Sequence, residues 1–200
     1  MAVMDVVMQV PFIREYLLFT GHLDASRGTM SRHMAKGANL AIIPGGEAEA
    51  LRTEKGKEAV VLKGRAGFIS LALQHGAAIV PTYTFGQVDT FHVSKTFLFS
   101  VREWIRMKLK MSIPVFWGQG GGPMPFRVPL SIAIGEPIQV PANPSGAKPD
   151  PAVVEEYAAR YIAALEMLFD KHKEAAGCGD RTLEVMEVPG HNKSNSKRSQ

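Results

Sequence analysis

Short apolar runs broken by glycine and proline constrain this chain more than any other feature. Helical periodicity alternates with them along the sequence. Ser26 to Lys36 reads as a short helix closed by Gly37. Ala38 to Ile43 is an apolar run ending at Pro44-Gly45-Gly46, which predicts a buried strand running into a turn. Arg65 to His75 sets Phe68, Leu71, Ala72 and His75 on one helical face, and Gly76 closes it. Ala77 to Phe85 reads as the next strand, ended by Gly86. Pro81 interrupts it and disfavours a fully hydrogen-bonded central position. Phe97 to Met111 is helical by pattern, and Ile113 to Trp117 and Leu130 to Ile134 are extended. Asp150-Pro151 suits a helix start, with the acid as N-cap and proline in the first turn. Val154, Tyr157, Ala158, Tyr161, Leu165, Leu168 and Phe169 then form an apolar stripe to about His172. This order predicts an α/β fold, a sheet covered by helices. The expected domain spans residues 1–177, with residues 178–200 a C-terminal tail whose last part is disordered.

The same short runs narrow the partners. None reaches the roughly 18 to 20 apolar residues of a spanning helix. The opening MAVMDVVMQVPF carries Asp5, stops at Pro11 and lacks the basic start and cleavage site of a signal peptide, so it reads as a core strand or helix. Membrane contact is then peripheral, or belongs to a segment absent from this chain. Cys178 is the only cysteine, which excludes an internal disulfide and a Cys-rich zinc site. The net charge is +4, but Lys193, Lys197 and Arg198 stand in the last ten residues with no acid, so the other 190 residues carry +1. That balance gives no argument for a nucleic-acid partner.

Four segments could carry chemistry. In Pro44-Gly45-Gly46-Glu47-Ala48-Glu49, two glycines permit a sharp turn and a close approach. An acid just beyond them stands where open α/β sheets place their sites. A tight turn before an acidic helix start explains the same residues. The loop lacks the spacing of a phosphate-binding fingerprint. In Lys57 to Arg65, Lys63 and Arg65 could meet an anionic head group or a coenzyme A phosphate, or be solvated charge at a helix start. In Lys95 to Lys110, Arg102, Arg106 and Lys110 recur at four-residue spacing opposite Phe97, Val101, Trp104, Ile105 and Leu109. That pattern fits an interfacial membrane helix or a core-packed surface helix. Trp117 to Phe126, rich in glycine, reads as a mobile or tightly turned loop.

The histidines are His22, His33, His75, His92, His172 and His191. A general base needs an oriented imidazole, usually with a carboxylate behind it. No histidine here has an aspartate five residues on, and none is followed by proline. His75 ends an apolar helix face, which favours a buried structural role. No serine sits in a Gly-x-Ser-x-Gly elbow.

Taken in order, the motifs resemble a family. Pro44-Gly45-Gly46 with Glu49 is similar to the Pro-Gly-Gly-x-x-Glu block of diacylglycerol and monoacylglycerol acyltransferases of the type-2 kind. Arg65-Ala66-Gly67-Phe68, His75-Gly76, Val80-Pro81 and Phe85-Gly86 resemble that family's long signature. Pro114 to Gly118, Pro125-Phe126-Arg127, Gly135-Glu136-Pro137-Ile138 and Leu168 to Lys173 complete it, over roughly residues 10–177. Each block alone is weak, and their order and spacing are specific.

The resemblance implies transfer of a fatty acyl group from acyl-coenzyme A, the co-substrate, to the hydroxyl of diacylglycerol. It implies no metal and no cofactor, a glycerolipid-acyltransferase-like fold, and work at the cytosolic face of the endoplasmic reticulum membrane or the lipid-droplet surface. By transfer of roles, Glu49 is the catalytic acid, orienting a histidine or contacting substrate. Gly45, Gly46, Arg65, Gly67 and Phe68 are the expected substrate-binding residues. In the family a His-Pro-His-Gly block deprotonates the acceptor. Here that block, with an apolar membrane hairpin, would lie before Met1. A second reading follows: an inactive fragment of the family that binds or regulates at a lipid surface.

Overall fold

Local signals decide most helix ends. The computed structural model describes residues 2–3, 12–45, 49, 54–94, 115–122, 124–143 and 145–187. Gly46, the basic stretch around Arg102, Arg106 and Lys110, and the tail 191–200 lie outside the described residues. The helices are α1 (Ile13–Phe19), α2 (Arg27–Met34), α3 (Gly67–His75) and α4 (Pro151–His172). Ser26 caps α2 by accepting the Thr29 N–H. Gly76 ends α3 in the left-handed region at φ 62°, where a side chain would be strained. Pro151 opens α4, and Asp150 accepts the Ala152 N–H at 2.8 Å. The opening segment, expected to be a core strand or helix, lies outside the described residues except for residues 2–3 and 12, and α1, which follows it, is not signalled by the pattern.

The strands are β1 (Ala2–Val3), β2 (Leu23–Asp24), β3 (Glu58–Lys63), β4 (Thr82–Phe85), β5 (His92–Ser94), β6 (Val115–Trp117), β7 (Ser131–Ile134) and β8 (Leu183–Glu187). Among the described residues they form four two-stranded ladders, two parallel (β1–β2 and β3–β8) and two antiparallel (β4–β7 and β5–β6). Among the described residues the chain is thus mixed α/β, with small ladders and no closed barrel. Three sequence expectations need correction. Ala38–Ile43 is irregular rather than a buried strand, and none of its side chains is buried. An apolar run becomes a strand only where another edge supplies its hydrogen bonds. Lys57–Arg65, expected either to meet an anionic group through Lys63 and Arg65 or to carry solvated charge at a helix start, is mostly strand β3, with Val61 at 0% and Leu62 at 6% exposure. Residues after 177, read as tail, include β8.

The chain divides into two compact units. The first comprises residues 1–44, 66–80 and 137–161. In it α2 and α3 meet through polar side chains. Arg27 donates to Ser70 Oγ at 3.3 Å and Gln74 Oε1 at 2.9 Å, and Ser31 Oγ lies 2.8 Å from His75 Nε2. Gln74 and Asn143 tie α3 to the proline-rich connector by bonds to the Gly146 and Leu73 carbonyls. Phe68 packs edge-on against Tyr161 at 5.1 Å.

The second unit comprises residues 45–65, 81–136 and 162–200. Pro81 precedes β4 instead of interrupting it, because a residue without N–H cannot complete the ladder. Tyr83 and Phe85 of β4 meet Phe169 of α4 at 5.1 and 5.2 Å, and each other at 4.9 Å. Leu165, Leu168 and Phe169 of the expected stripe are buried, while Glu166, Met167 and Asp170 are exposed. The 3.6-residue period therefore reads the buried face of α4 correctly.

Candidate active site around Glu49

β3 forms because Ala59-Val60-Val61-Leu62 is a β-branched, apolar run that pairs in parallel with β8. The Val61 N–H donates to Glu49 Oε2 at 3.2 Å. Glu49 is half-buried, one helical turn after Gly45, and its own N–H reaches the Gly45 carbonyl at 3.4 Å. The carboxylate folds back over Gly45, so that a Cβ there would overlap it. The glycine and the acid four residues later are therefore one device. The missing side chain leaves room for the carboxylate, and the strand amide holds it.

Burial pushes the Glu49 carboxyl above its ordinary value of 4.5, against the Val61 hydrogen bond and the Arg65 guanidinium, which both lower it. Glu49 thus keeps its proton to higher pH than a surface glutamate. Arg65 is half-buried, and its Nε is buried with no hydrogen-bond partner. Gly45, Glu49 and Arg65 are thus brought together within the second unit.

Gly67 and Phe68 belong to the first unit, in the first turn of α3. Gly67 is exposed, with open space where a side chain would project, so no close approach demands glycine there. The Phe68 ring is engaged with Tyr161. The loop after Trp117 is tightly turned: Gly118 N–H donates to the Gly122 carbonyl at 2.8 Å and Gln119 N–H to the Met124 carbonyl at 2.7 Å.

Sequence reasoning missed a buried polar cluster in the second unit. Glu58, at the start of β3, is 2% exposed. It accepts the Tyr83 hydroxyl at 2.7 Å and Arg181 Nη1 at 2.8 Å. The same Nη1 reaches Asp89 Oδ2 at 2.8 Å. Burial, then the bond to Glu58 and the charges of Glu58 and Glu49, push the Tyr83 phenol far above its usual range, so it remains a neutral donor. Burial also raises the Cys178 thiol, opposed by Arg181. Sequence offered only a weak signal: a lone acid and a lysine flanking an apolar run.

Two other histidines are placed by local bonds. His22 Nδ1 lies 2.8 Å from Thr20 Oγ1, and His92 packs edge-on against Phe126 at 5.0 Å. Among the described residues no group of three His, Cys, Asp or Glu side chains could hold a metal ion, and no helix is long and apolar enough to cross a membrane.

Comparison with known proteins supplies the family. The family described as "Diacylglycerol acyltransferase" matches residues 1–186. The chain is 34% identical to human 2-acylglycerol O-acyltransferase 3 over 190 residues, covering 88% of this chain and 55% of that protein. It is 36% identical to mouse diacylglycerol O-acyltransferase 2 over 196 residues, covering 90% of this chain and 48% of that protein. It is 32% identical to human acyl-CoA wax alcohol acyltransferase 2 over 190 residues, covering 88% and 56%. The chain spans about half the length of these relatives. No solved structure matches. On a match that covers nearly its whole length, the chain belongs to the diacylglycerol acyltransferase family.

Proposed function

We infer that this chain contributes the acid side of a site that transfers a fatty acyl group from acyl-coenzyme A to the hydroxyl of diacylglycerol. The observation that carries the reading is the Glu49 carboxylate, folded over Gly45 and held by the Val61 N–H. In the reaction the acceptor oxygen attacks the thioester carbonyl, the C–O bond forms and the C–S bond breaks. The acceptor proton passes through a histidine base to the departing coenzyme A thiolate. That base comes from the family's His-Pro-His-Gly block. Glu49 orients the imidazole or contacts substrate. Arg65, half-buried near Glu49, receives an anionic group such as a coenzyme A phosphate. Gly45 and Gly46 shape the loop, and Gly67 and Phe68 contribute to substrate binding at the start of α3. No metal or further cofactor takes part, and the fold is of the glycerolipid-acyltransferase kind.

The reading is tested in a protein carrying both this chain and a His-Pro-His-Gly segment. Gly45→Ala is expected to lower acyl transfer by about ten- to a hundredfold, the loss of one hydrogen bond to a carboxylate, with an unchanged circular dichroism spectrum. Full activity in Gly45→Ala and in Glu49→Gln would remove Glu49 from the site.

The site works at the cytosolic face of the endoplasmic reticulum membrane or at the lipid-droplet surface. Support comes from exposed apolar side chains within each unit: Phe12, Tyr16 and Phe19 at and in α1, and Phe116, Trp117, Met124, Ile132 and Ile134 in the second. The basic spacing of Arg102, Arg106 and Lys110 adds attraction to anionic lipid. Each such residue contributes about 1 kcal/mol near an anionic surface. Binding to phosphatidylserine vesicles is expected to weaken by about a hundredfold or more in the Arg102→Glu/Arg106→Glu/Lys110→Glu variant, and to fall with salt as screening shortens to about 3 Å at 1 M. Equal co-sedimentation of both proteins would remove these residues from the membrane contact.

The second reading, an inactive lipid-surface module, is favoured by one observation. His22 and His75 meet hydroxyls, of Thr20 and Ser31, rather than the carboxylate that orients a general base. The turnover comparison that opens the Discussion separates the two readings.

A further inference from the structure

Arg181 stands between α4 and β8, 123 positions from Glu58. Its side chain is 21% exposed, and one nitrogen, Nη1, bridges Glu58 and Asp89. Glu58 is also where the parallel ladder begins, since it pairs with Leu183. The ion pair therefore fastens the C-terminal arm to the start of β3 just before the ladder takes over. Three residues along the same strand is Val61, whose N–H carries the Glu49 carboxylate.

A buried carboxylate deprived of its cation is strongly unfavourable. Without Arg181, Glu58 and Asp89 would face each other with only the Tyr83 hydroxyl as a donor to Glu58. The strand start could relieve this by moving toward water, and β3 is only six residues long. Val61 would move with it. Electrostatics link the same groups, because the Tyr83 phenol responds to both Glu58 and Glu49.

We propose that Arg181 is a positioning residue for the Glu49 site: by neutralising Glu58 and Asp89 it fixes the start of β3, and with it the Val61 N–H on which Glu49 rests. The C-terminal arm is thereby part of the functional unit. This rests on Glu49 being the functional acid, but the contact itself can be measured without turnover.

The experiment uses the full 200-residue chain with glutamate 13C-labelled at the side-chain carboxyl. The Glu49 resonance is identified by its loss in Glu49→Gln. Because both contacts run through one nitrogen, a lysine ammonium can replace them, and Arg181→Lys is expected to keep the wild-type titration midpoint of Glu49. Arg181→Met is expected to raise that midpoint by about half a pH unit or more, as nearby carboxylates lose their counter-charge. It should also speed Val61 amide exchange by about tenfold or more through local opening. Should Arg181→Met fail to fold, the Glu58→Gln/Arg181→Met variant removes the buried charge and keeps the tie broken; accelerated Val61 exchange is again expected. A folded variant of either kind with wild-type midpoint and exchange overturns the proposal. So does global unfolding of both variants, which would make Arg181 a general stability element. Failure of Glu49 as the functional acid is seen separately, as undiminished transfer in Glu49→Gln.

Discussion

Placing a segment with a His-Pro-His-Gly block ahead of residue 1 is expected to raise triacylglycerol formation by about a hundred- to ten-thousandfold over the 200 residues alone, the usual contribution of a general base. The acceptor is an alcohol, a poor nucleophile until its proton is taken. Among the described histidines, His75 meets Ser31, His22 meets Thr20 and His92 packs on Phe126, and none of these contacts is the carboxylate that usually orients a general base. The measurement is formation of triacylglycerol from radiolabelled acyl-coenzyme A and diacylglycerol by both proteins. Robust turnover by the 200 residues, abolished by changing one of their own histidines, would sink the assignment. Equal and negligible turnover by both would favour the lipid-surface module.

The largest stability effect is expected at Phe169. Its side chain is 0% exposed and closes a three-ring cluster with Tyr83 and Phe85. Phe169→Ala removes two ring contacts and leaves a cavity, at a cost of about 3 to 5 kcal/mol. Against a total of about 5 to 15 kcal/mol for a typical domain, that is a large fraction. Tm should fall by roughly 6 to 20 °C. Tyr83 would lose packing as well, so loss of the Glu58 contact should accompany the drop. Met167→Ala on the same helix, at a side chain 67% exposed, should stay within about 0.5 kcal/mol. Scanning calorimetry of the three proteins checks both expectations, and equal transitions for Phe169→Ala and wild type would show that the cluster does not hold the core.

Much of the helical structure was legible because its causes are local. Ser26, Gly76 and Asp150-Pro151 mark ends that a neighbouring backbone group confirms within a few residues. The stripe from Val154 to Phe169 needs only the period of the helix to show its buried face. The Gly45 and Glu49 pairing was legible as a spacing, and the family as an order of such spacings. The reason Gly45 must lack a side chain was not, because it depends on where the Glu49 carboxylate folds.

Strands and buried charges were decided by tertiary structure. Ala38–Ile43 and Glu58–Lys63 are both short and apolar, yet only the second is laddered, because β8 arrives beside it from the far end of the chain. Composition gave no reason to bury Glu58. What makes burial tolerable is Tyr83 from β4 and Arg181 from beyond α4, supplying a hydroxyl and a counter-charge. By itself, then, the sequence determined the buried face of α4, the turn at Gly45 and the family, since each follows from residues a turn or two apart or from motif order; in α3 it found Leu71 and Ala72 but placed Phe68 and His75, which are half-buried, where Ile69 and Leu73 are buried. Only the tertiary structure decided which apolar run becomes a strand and which acid is buried. Those outcomes depend on hydrogen-bond edges and opposite charges contributed from distant positions, which no local period records.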